Sequence, residues 1–229
     1  MESLSGEYRD RVVEIQSVFD FISVLQDDEC LGLNEQIEQL ITGELSSILS
    51  IINSSILVML YNLIESTAVG CVEHLYDQLR DKNISYNSLN AAFKDRIFKD
   101  LKVRQIKSTE FISSALSSGL DSSIISSSYS KENYFNGNVD AKKIKDIFKV
   151  FQLNFVSGRG GKLVDVKDAR KMLTHSESSF EKYGRNFSRN DLKIIIEDTI
   201  MFFDEFLIEF EKFIENQNYL AVSLNGNVS

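Results

Sequence analysis

Apolar residues recur three or four positions apart along much of this chain, and the pattern marks out helices before any other property is considered. Between Glu7 and Leu25, the residues Val12, Ile15, Phe19, Ile22 and Leu25 share one face of a first amphipathic helix. From about Glu44 to Arg80 the pattern runs almost unbroken through ILSIINSSILVMLYNLIESTAVGCVEHLYDQLR, with apolar residues on more than one face, which predicts the central helix of a bundle. A third helix is predicted over 87–101. The last is the clearest. Ser188-Arg189-Asn190-Asp191 resembles a capping box with an acid where the helix dipole favours negative charge. Behind it Leu192, Ile195, Ile196, Thr199, Phe203, Phe206, Phe210 and Phe213 line one face to about Gln217, so these aromatics are expected in the core.

The stretches between these helices are polar. Ser113 to Ser130 holds 10 serines in 18 residues and reads as a mobile loop or a poorly packed helical excursion between two halves of one bundle. Asn136-Gly137-Asn138 is a turn signal, and Asp140 is a good N-cap for a helix over AKKIKDIFKVF. Gly158, Gly160 and Gly161 form a loop beyond it.

Composition strengthens the helical reading. The chain has no proline and 11 glycines, so the two strongest helix breakers are absent or scarce, which predicts an all-α fold. With 229 residues, 43% hydrophobic and 26% charged, it can bury a real core, and one domain is the expected count. The N-terminus MESLSGEYRD carries acid where a secretory signal carries base, so a cytoplasmic location is expected. The most apolar run, SILVMLYNLI, is about half the ~20 residues that span a bilayer and contains Asn62, so no membrane partner is expected. Cys30 and Cys71 are too few and too far apart for a zinc cluster and read as buried apolar fillers.

The net charge of −9 argues against binding nucleic acid by bulk attraction. Its distribution alters that conclusion. Residues 141–193 carry 13 Lys and Arg against 6 Asp and Glu, a local +7 that leaves −16 on the rest. A basic island on an acidic chain is the footprint of a confined anion site.

Three motifs carry candidate chemistry. SGRGGK at 157–162 invites a phosphate-loop reading, but Val156 and Leu163 occupy the positions of the required glycine and hydroxyl residue, which leaves an ordinary connection. His74, near Glu73 and Asp77, is a weak metal ligand candidate. Arg170 and His175, in DARKMLTHSESSFEKYG, are either an active-site pair or the polar end of a helix. Five residues at 100° each place the two side chains about 140° apart on a regular helix. Two arrangements would let them act together: a helix that distorts near Thr174, or a site completed by a second copy across a two-fold axis.

The Arg-x-x-x-x-His of Arg170 to His175 resembles the signature of HEPN domains, helical bundles that include many metal-independent ribonucleases. LYNLIEST at 60–67, VKDARKMLTHSESSFEKYGRNFS at 166–188 and FIENQNYL at 213–220 resemble a prokaryotic branch of HEPN-like nucleases from toxin–antitoxin and antiviral systems. The family motif commonly reads Arg-Asn-x-x-Ala-His-Gly, whereas this chain has Lys171, Thr174 and Ser176 at the Asn, Ala and Gly positions.

The resemblance implies a four-helix core over about 44–220, with an additional N-terminal helix in a helical extension over 1–43, an inserted Ser-rich loop and a flexible tail over 221–229. It also implies a metal-independent endoribonuclease with no cofactor, acting as a toxin or defence effector. His175 would take the proton of a ribose 2′-hydroxyl and Arg170 would hold the phosphate. Thr174 and Lys171 are supporting candidates, the latter as a phosphate contact or the mark of a weakened enzyme. Lys167, Lys182 and Arg185 are candidate RNA contacts. Expected partners are RNA, a second copy of the chain and a cognate antitoxin or other defence protein. The alternative implied by Lys171 is a catalytically weak or inactive HEPN module that binds RNA or a partner protein. Glu65, a carboxylate inside the apolar run of the central helix, either faces solvent or, if buried, needs a cationic partner, for which Arg170 is the candidate.

Overall fold

A computed structural model describes residues 2–26, 35–104, 108–129, 139, 141–151, 153 and 159–221. Among them, nine α-helices and a 3-10 turn at Tyr86–Ser88 make up the regular structure: α1 (Glu2–Gln26), α2 (Glu35–Asp81), α3 (Ala91–Arg104), α4 (Ser108–Ser118), α5 (Leu120–Ser128), α6 (Ala141–Phe151), α7 (Leu163–Thr174), α8 (Phe180–Gly184) and α9 (Arg189–Glu215). The described residues contain no strand, only an isolated antiparallel bridge between Leu89 and Leu220. The all-α expectation therefore holds. The chain divides into two compact units, one of Glu2–Thr67 with Ser157–Asp204 and the other of Ala68–Val156 with Glu205–Ser229. Both α2 and α9 contribute to each.

In the first unit, α1 buries Tyr8, Ile15 and Ile22, seven residues apart, while Val12, Phe19 and Leu25 are half-buried. The Tyr8 hydroxyl donates to the Ile200 carbonyl at 3.1 Å and to the Asp204 carboxylate at 2.9 Å, pinning α1 to α9. The capping box at the start of α9 is present in full. The Ser188 N–H donates to Asp191 at 2.9 Å, and the Asp191 N–H donates back to the Ser188 hydroxyl at 3.2 Å. Every apolar position predicted for the α9 face is buried.

By length and composition, α2 over Glu44–Asp81 is apolar enough to cross a bilayer, and 50% of its most apolar window is buried inside the protein. In the first unit that burial falls on Ile56, Leu57, Leu60, Tyr61, Leu63 and Ile64. Ser50, Asn53 and Ser54 are buried on the same helix: the Ser50 hydroxyl donates to the Ser46 carbonyl of its own helix, whereas Asn53 and Ser54 reach carbonyls of α8 and the segment after it.

In the second unit, Phe93 of α3, Phe151 of α6 and Phe213 of α9 form a stacked cluster with centroids 5.2 to 6.0 Å apart. Tyr219 meets Phe213 edge-on at 6.1 Å. Asn90 caps α3 by accepting the Phe93 N–H at 2.9 Å, and its side-chain amide donates to the Asn218 carbonyl at 2.8 Å. The FIENQNYL ending thus closes back on the start of α3.

The Ser-rich stretch departs from the loop reading. It forms α4 and α5, broken at Gly119, whose φ of 86° suits glycine alone among common residues. Several of its serines satisfy their hydroxyls locally. Ser123 donates to the Gly119 carbonyl at 2.8 Å, Ser128 to Ile125 at 2.8 Å, and Ser114 pairs with Ser123 at 3.0 Å. Cys71 is a fully buried free thiol, as its filler role requires, and burial pushes its pKa up. Cys30, the 136–138 turn, the Asp140 cap, Gly158 and the 222–229 tail lie outside the described residues.

Candidate active site

The glycine loop before α7 is a docking element. Asp198 of α9 accepts the backbone N–H of Gly160 at 3.2 Å and of Lys162 at 2.9 Å, so the chain's own carboxylate occupies the position that a bound anion would take. Gly160 has a φ of +83°, and a Cβ there would lie 2.6 Å from the Phe202 ring. Glycine is therefore required by packing and backbone conformation.

From this anchor α7 runs with Leu163, Val166, Ala169 and Leu173 buried on one side. Lys167, Arg170, Lys171 and Thr174 follow at i, i+3, i+4 and i+7, the spacing of a single stripe. Lys167 and Arg170 are half-buried, whereas Lys171, Thr174 and His175 are exposed.

The helix ends sharply after Thr174. His175 is the C-cap, its N–H donating to the Lys171 carbonyl at 3.2 Å. Ser176 is left-handed at a φ of 56°, and the Glu177 N–H returns to the Met172 carbonyl at 3.0 Å. This six-to-one bond with a left-handed residue at the first position past the cap is a Schellman turn. It explains the glycine of the family motif, because Ser176 stands where that glycine would relieve the left-handed backbone. The Thr174 hydroxyl donates to the Arg170 carbonyl at 2.7 Å, tying it to its own helix.

Arg170 packs over the ring of Tyr61, with its Cζ 4.6 Å from the centroid. Tyr61 is 1% exposed and belongs to α2. Glu65 is half-buried one helical turn further along α2, on the same face as Tyr61. The segment after the turn is held by α2. Ser179 caps α8 by accepting the Lys182 N–H at 3.2 Å. The Ser54 hydroxyl donates to the Phe180 carbonyl at 2.6 Å, and the Asn53 amide donates to the carbonyls of Gly184 at 3.4 Å and Phe187 at 3.1 Å.

Of the candidate RNA contacts beyond His175, Lys182 is exposed on α8. Arg185 forms an ion pair with Glu181, which also accepts the Ser47 hydroxyl at 2.8 Å. Those bonds, Ser47 first and then Arg185, hold the Glu181 carboxyl below its usual pKa. The basic island divides between the units, with α6 in one and α7, α8 and the start of α9 in the other. Several of its cations have local partners, among them Lys162 with Asp165 at 3.1 Å. His74, far from this region in sequence, is partly buried, and burial lowers its pKa.

Tyr61, Asn53, Ser54 and Gly184 are the residues that sequence reasoning passed over. The available signal was polar INSS inside an apolar run, together with a glycine in EKYGRNFS.

The HEPN_MAE_28990-like HEPN family model matches residues 1–219. The chain belongs to this HEPN family. Neither a curated protein nor a solved structure matches it significantly. HEPN domains are often ribonucleases, so an RNA-related enzymatic role is the coarse function that membership suggests. Within this HEPN chain, the motif arginine lies one turn before the end of α7 and the motif histidine is its C-cap.

Proposed function

We propose that this HEPN protein is a metal-independent endoribonuclease acting as a cytoplasmic toxin or antiviral defence effector. The observation that supports it most is the end of α7: a half-buried Arg170 fixed against Tyr61, followed by an exposed His175 at a sharply terminated helix. His175 removes the proton from a ribose 2′-hydroxyl, whose oxygen then attacks the adjacent phosphorus. The P–O5′ bond breaks, the 5′-oxygen leaves with a proton, and a 2′,3′-cyclic phosphate remains. Arg170 neutralises charge growing on the phosphate oxygens, and Lys171 and Lys167, on the same stripe, contact flanking phosphates. DNA lacks the nucleophile and resists cleavage. Because Arg170 and His175 diverge by about 140° on a helix, a second copy of the chain completes each site across a two-fold axis. A cognate antitoxin or other defence protein restrains the activity.

Incubating purified protein with RNA and a chelator, beside Arg170→Ala and His175→Ala, tests this reading. Wild type is expected to cut and both variants to lose at least about a hundredfold in rate. RNA left equally intact by all three refutes the nuclease assignment, and cleavage surviving in both variants refutes the residue assignment. Sedimentation showing only monomer at micromolar concentration refutes the composite site. One feature favours a second reading, a HEPN module that binds RNA or a partner without cutting: lysine at 171, where the family commonly has asparagine. RNA binding without cleavage by wild type is its expected signature.

A further inference from the structure

Asn53 of α2 holds the α8 segment through its amide nitrogen, which donates to the Gly184 carbonyl at 3.4 Å and the Phe187 carbonyl at 3.1 Å. Only the NH2 end of an amide can meet two carbonyls, so the orientation is fixed and Oδ1 is left as an acceptor. Asn53 is 6% exposed, and among the described residues no group donates to that oxygen. A buried acceptor without a donor is destabilising, and an incoming N–H relieves it. Ser50, three residues earlier on the same helix face, is also 6% exposed. Its hydroxyl proton is committed to the Ser46 carbonyl at 2.8 Å, so toward a ligand it too is an acceptor.

Both residues line a cleft of about 380 Å³, at the small end of ligand sites and suited to one flat ring system. Its walls include Leu25 of α1, Leu45 and Leu49 of α2, and the ring of Phe187 just past α8. All of these belong to one compact unit. Apolar walls, an aromatic ring and two acceptors suit a heteroaromatic ring that presents N–H groups, and disfavour an anion inside. Positive charge stands outside instead: Arg185, ion-paired with Glu181, also lines the cleft and is exposed, as is Lys182 on α8. The walling segment follows His175 in the chain, through the Ser176 turn and α8.

We propose that this cleft takes one base of the RNA, guanine in preference to the others. Guanine alone among the four bases offers two adjacent donors, N1–H and the 2-amino group, on its Watson–Crick edge. Adenine and cytosine place an acceptor beside their amino group, and uracil flanks a single N–H with two carbonyls. A base acceptor set against Asn53 Oδ1 or Ser50 Oγ leaves both oxygens unmet. The base lies against Phe187 and the leucines, the manner in which unpaired RNA bases are commonly held. This deepens the ribonuclease reading and rests on it for RNA as the occupant. Asn53 and Ser50 bind the base and touch no reacting atom.

The test is fluorescence anisotropy with full-length protein and a 2′-O-methyl oligouridine, which cannot be cut, carrying one central guanine, hypoxanthine or adenine. Wild type is expected to bind the guanine oligonucleotide about tenfold more tightly than the adenine one, the factor that one buried hydrogen bond contributes. Hypoxanthine, which lacks the 2-amino group, falls between them. Equal affinities overturn the proposal, as does failure to bind any of the three, and neither result needs a variant. Ser46 is exposed at the rim, so Ser46→Trp fills the cleft from outside the core and is expected to erase the preference. Ser50→Ala removes one acceptor and is expected to lower guanine affinity severalfold with adenine affinity unchanged. A preference undiminished in both variants belongs to another surface and overturns the cleft assignment.

Cleavage of unmodified RNA separates this proposal from the reading it rests on. His175→Ala is expected to stop cutting and to keep the guanine preference. A wild type that prefers guanine but cuts nothing refutes the nuclease and leaves the base site standing, whereas one that cuts without the preference refutes the base site alone.

Discussion

Gly184→Ala tests how α8 is held against α2. A Cβ at 184 would lie 1.7 Å from the Ser50 carbonyl oxygen, 2.7 Å from its carbon and 3.0 Å from the Ser54 hydroxyl, whereas ordinary contact begins at 3.4 Å. The first two atoms are backbone of a long helix and cannot swing aside, so α8 must retreat by roughly 1.7 Å, the difference between contact and clash. That retreat carries the Phe180, Gly184 and Phe187 carbonyls, now 2.6, 3.4 and 3.1 Å from their donors, beyond hydrogen-bond reach. Ser54 and Asn53 stay buried with donors unmet, at about 1–3 kcal/mol for each side chain. Alanine's helix propensity returns only about 1 kcal/mol. The clash wins, and a net loss of about 3 kcal/mol lowers the melting temperature by on the order of 10 °C. Calorimetry on Gly184→Ala measures this, with Gly161→Ala as control because nothing lies within 4 Å of a Cβ there. A Gly184→Ala protein melting within about 2 °C of wild type would falsify the account of α8 docking.

Two further outcomes follow from the α7 end and the carboxylates near it. Ser176→Gly relieves a left-handed backbone at φ 56° and is expected to stabilise by about 1 kcal/mol in urea unfolding, whereas Ser176→Val destabilises; a destabilised glycine variant contradicts the Schellman geometry. Glu181 and Asp191 both have folded pKa values held down, by Ser47 with Arg185 and by Ser188 respectively. Depressed carboxyl values mean that the unfolded chain binds more protons in acid, so their stabilisation is present above their ordinary range near pH 4 and is lost as pH falls through the lower folded values. Urea midpoints between pH 6 and pH 2.5 should fall less steeply for the Glu181→Gln, Asp191→Asn double variant than for wild type, and an unchanged slope rules out these groups as its source.

What the sequence made legible and what it concealed divide along a physical line. The capping box and buried face of α9 depend on residues three or four apart, so their meaning is local and was readable. The Ser-rich stretch was ambiguous because serine hydroxyls bond their own helix as readily as water, which leaves helix and loop with the same composition. INSS on α2 was opaque for a different reason. Asn53 and Ser54 satisfy main-chain carbonyls of a segment more than a hundred residues away, and carbonyls leave no trace in a sequence.

The Arg170 and His175 pair lies between these cases: the motif was visible and a helix end or distortion near Thr174 was among its readings, but the left-handed turn at Ser176 was not. That helix end also reinterprets the departures from the family motif. Ser176 meets the conformational demand that glycine meets, at some cost in strain, so this departure conserves backbone shape. Lys171 is different in kind. It is exposed on the stripe that carries Arg170, so its replacement of asparagine changes the charge available to a substrate and leaves the fold untouched. Restoring the family residues separately therefore predicts separate readouts. Ser176→Gly moves stability with cleavage unchanged, Lys171→Asn moves cleavage with stability unchanged, and the reverse assignment would mean that the helix end and the phosphate contact have been confused.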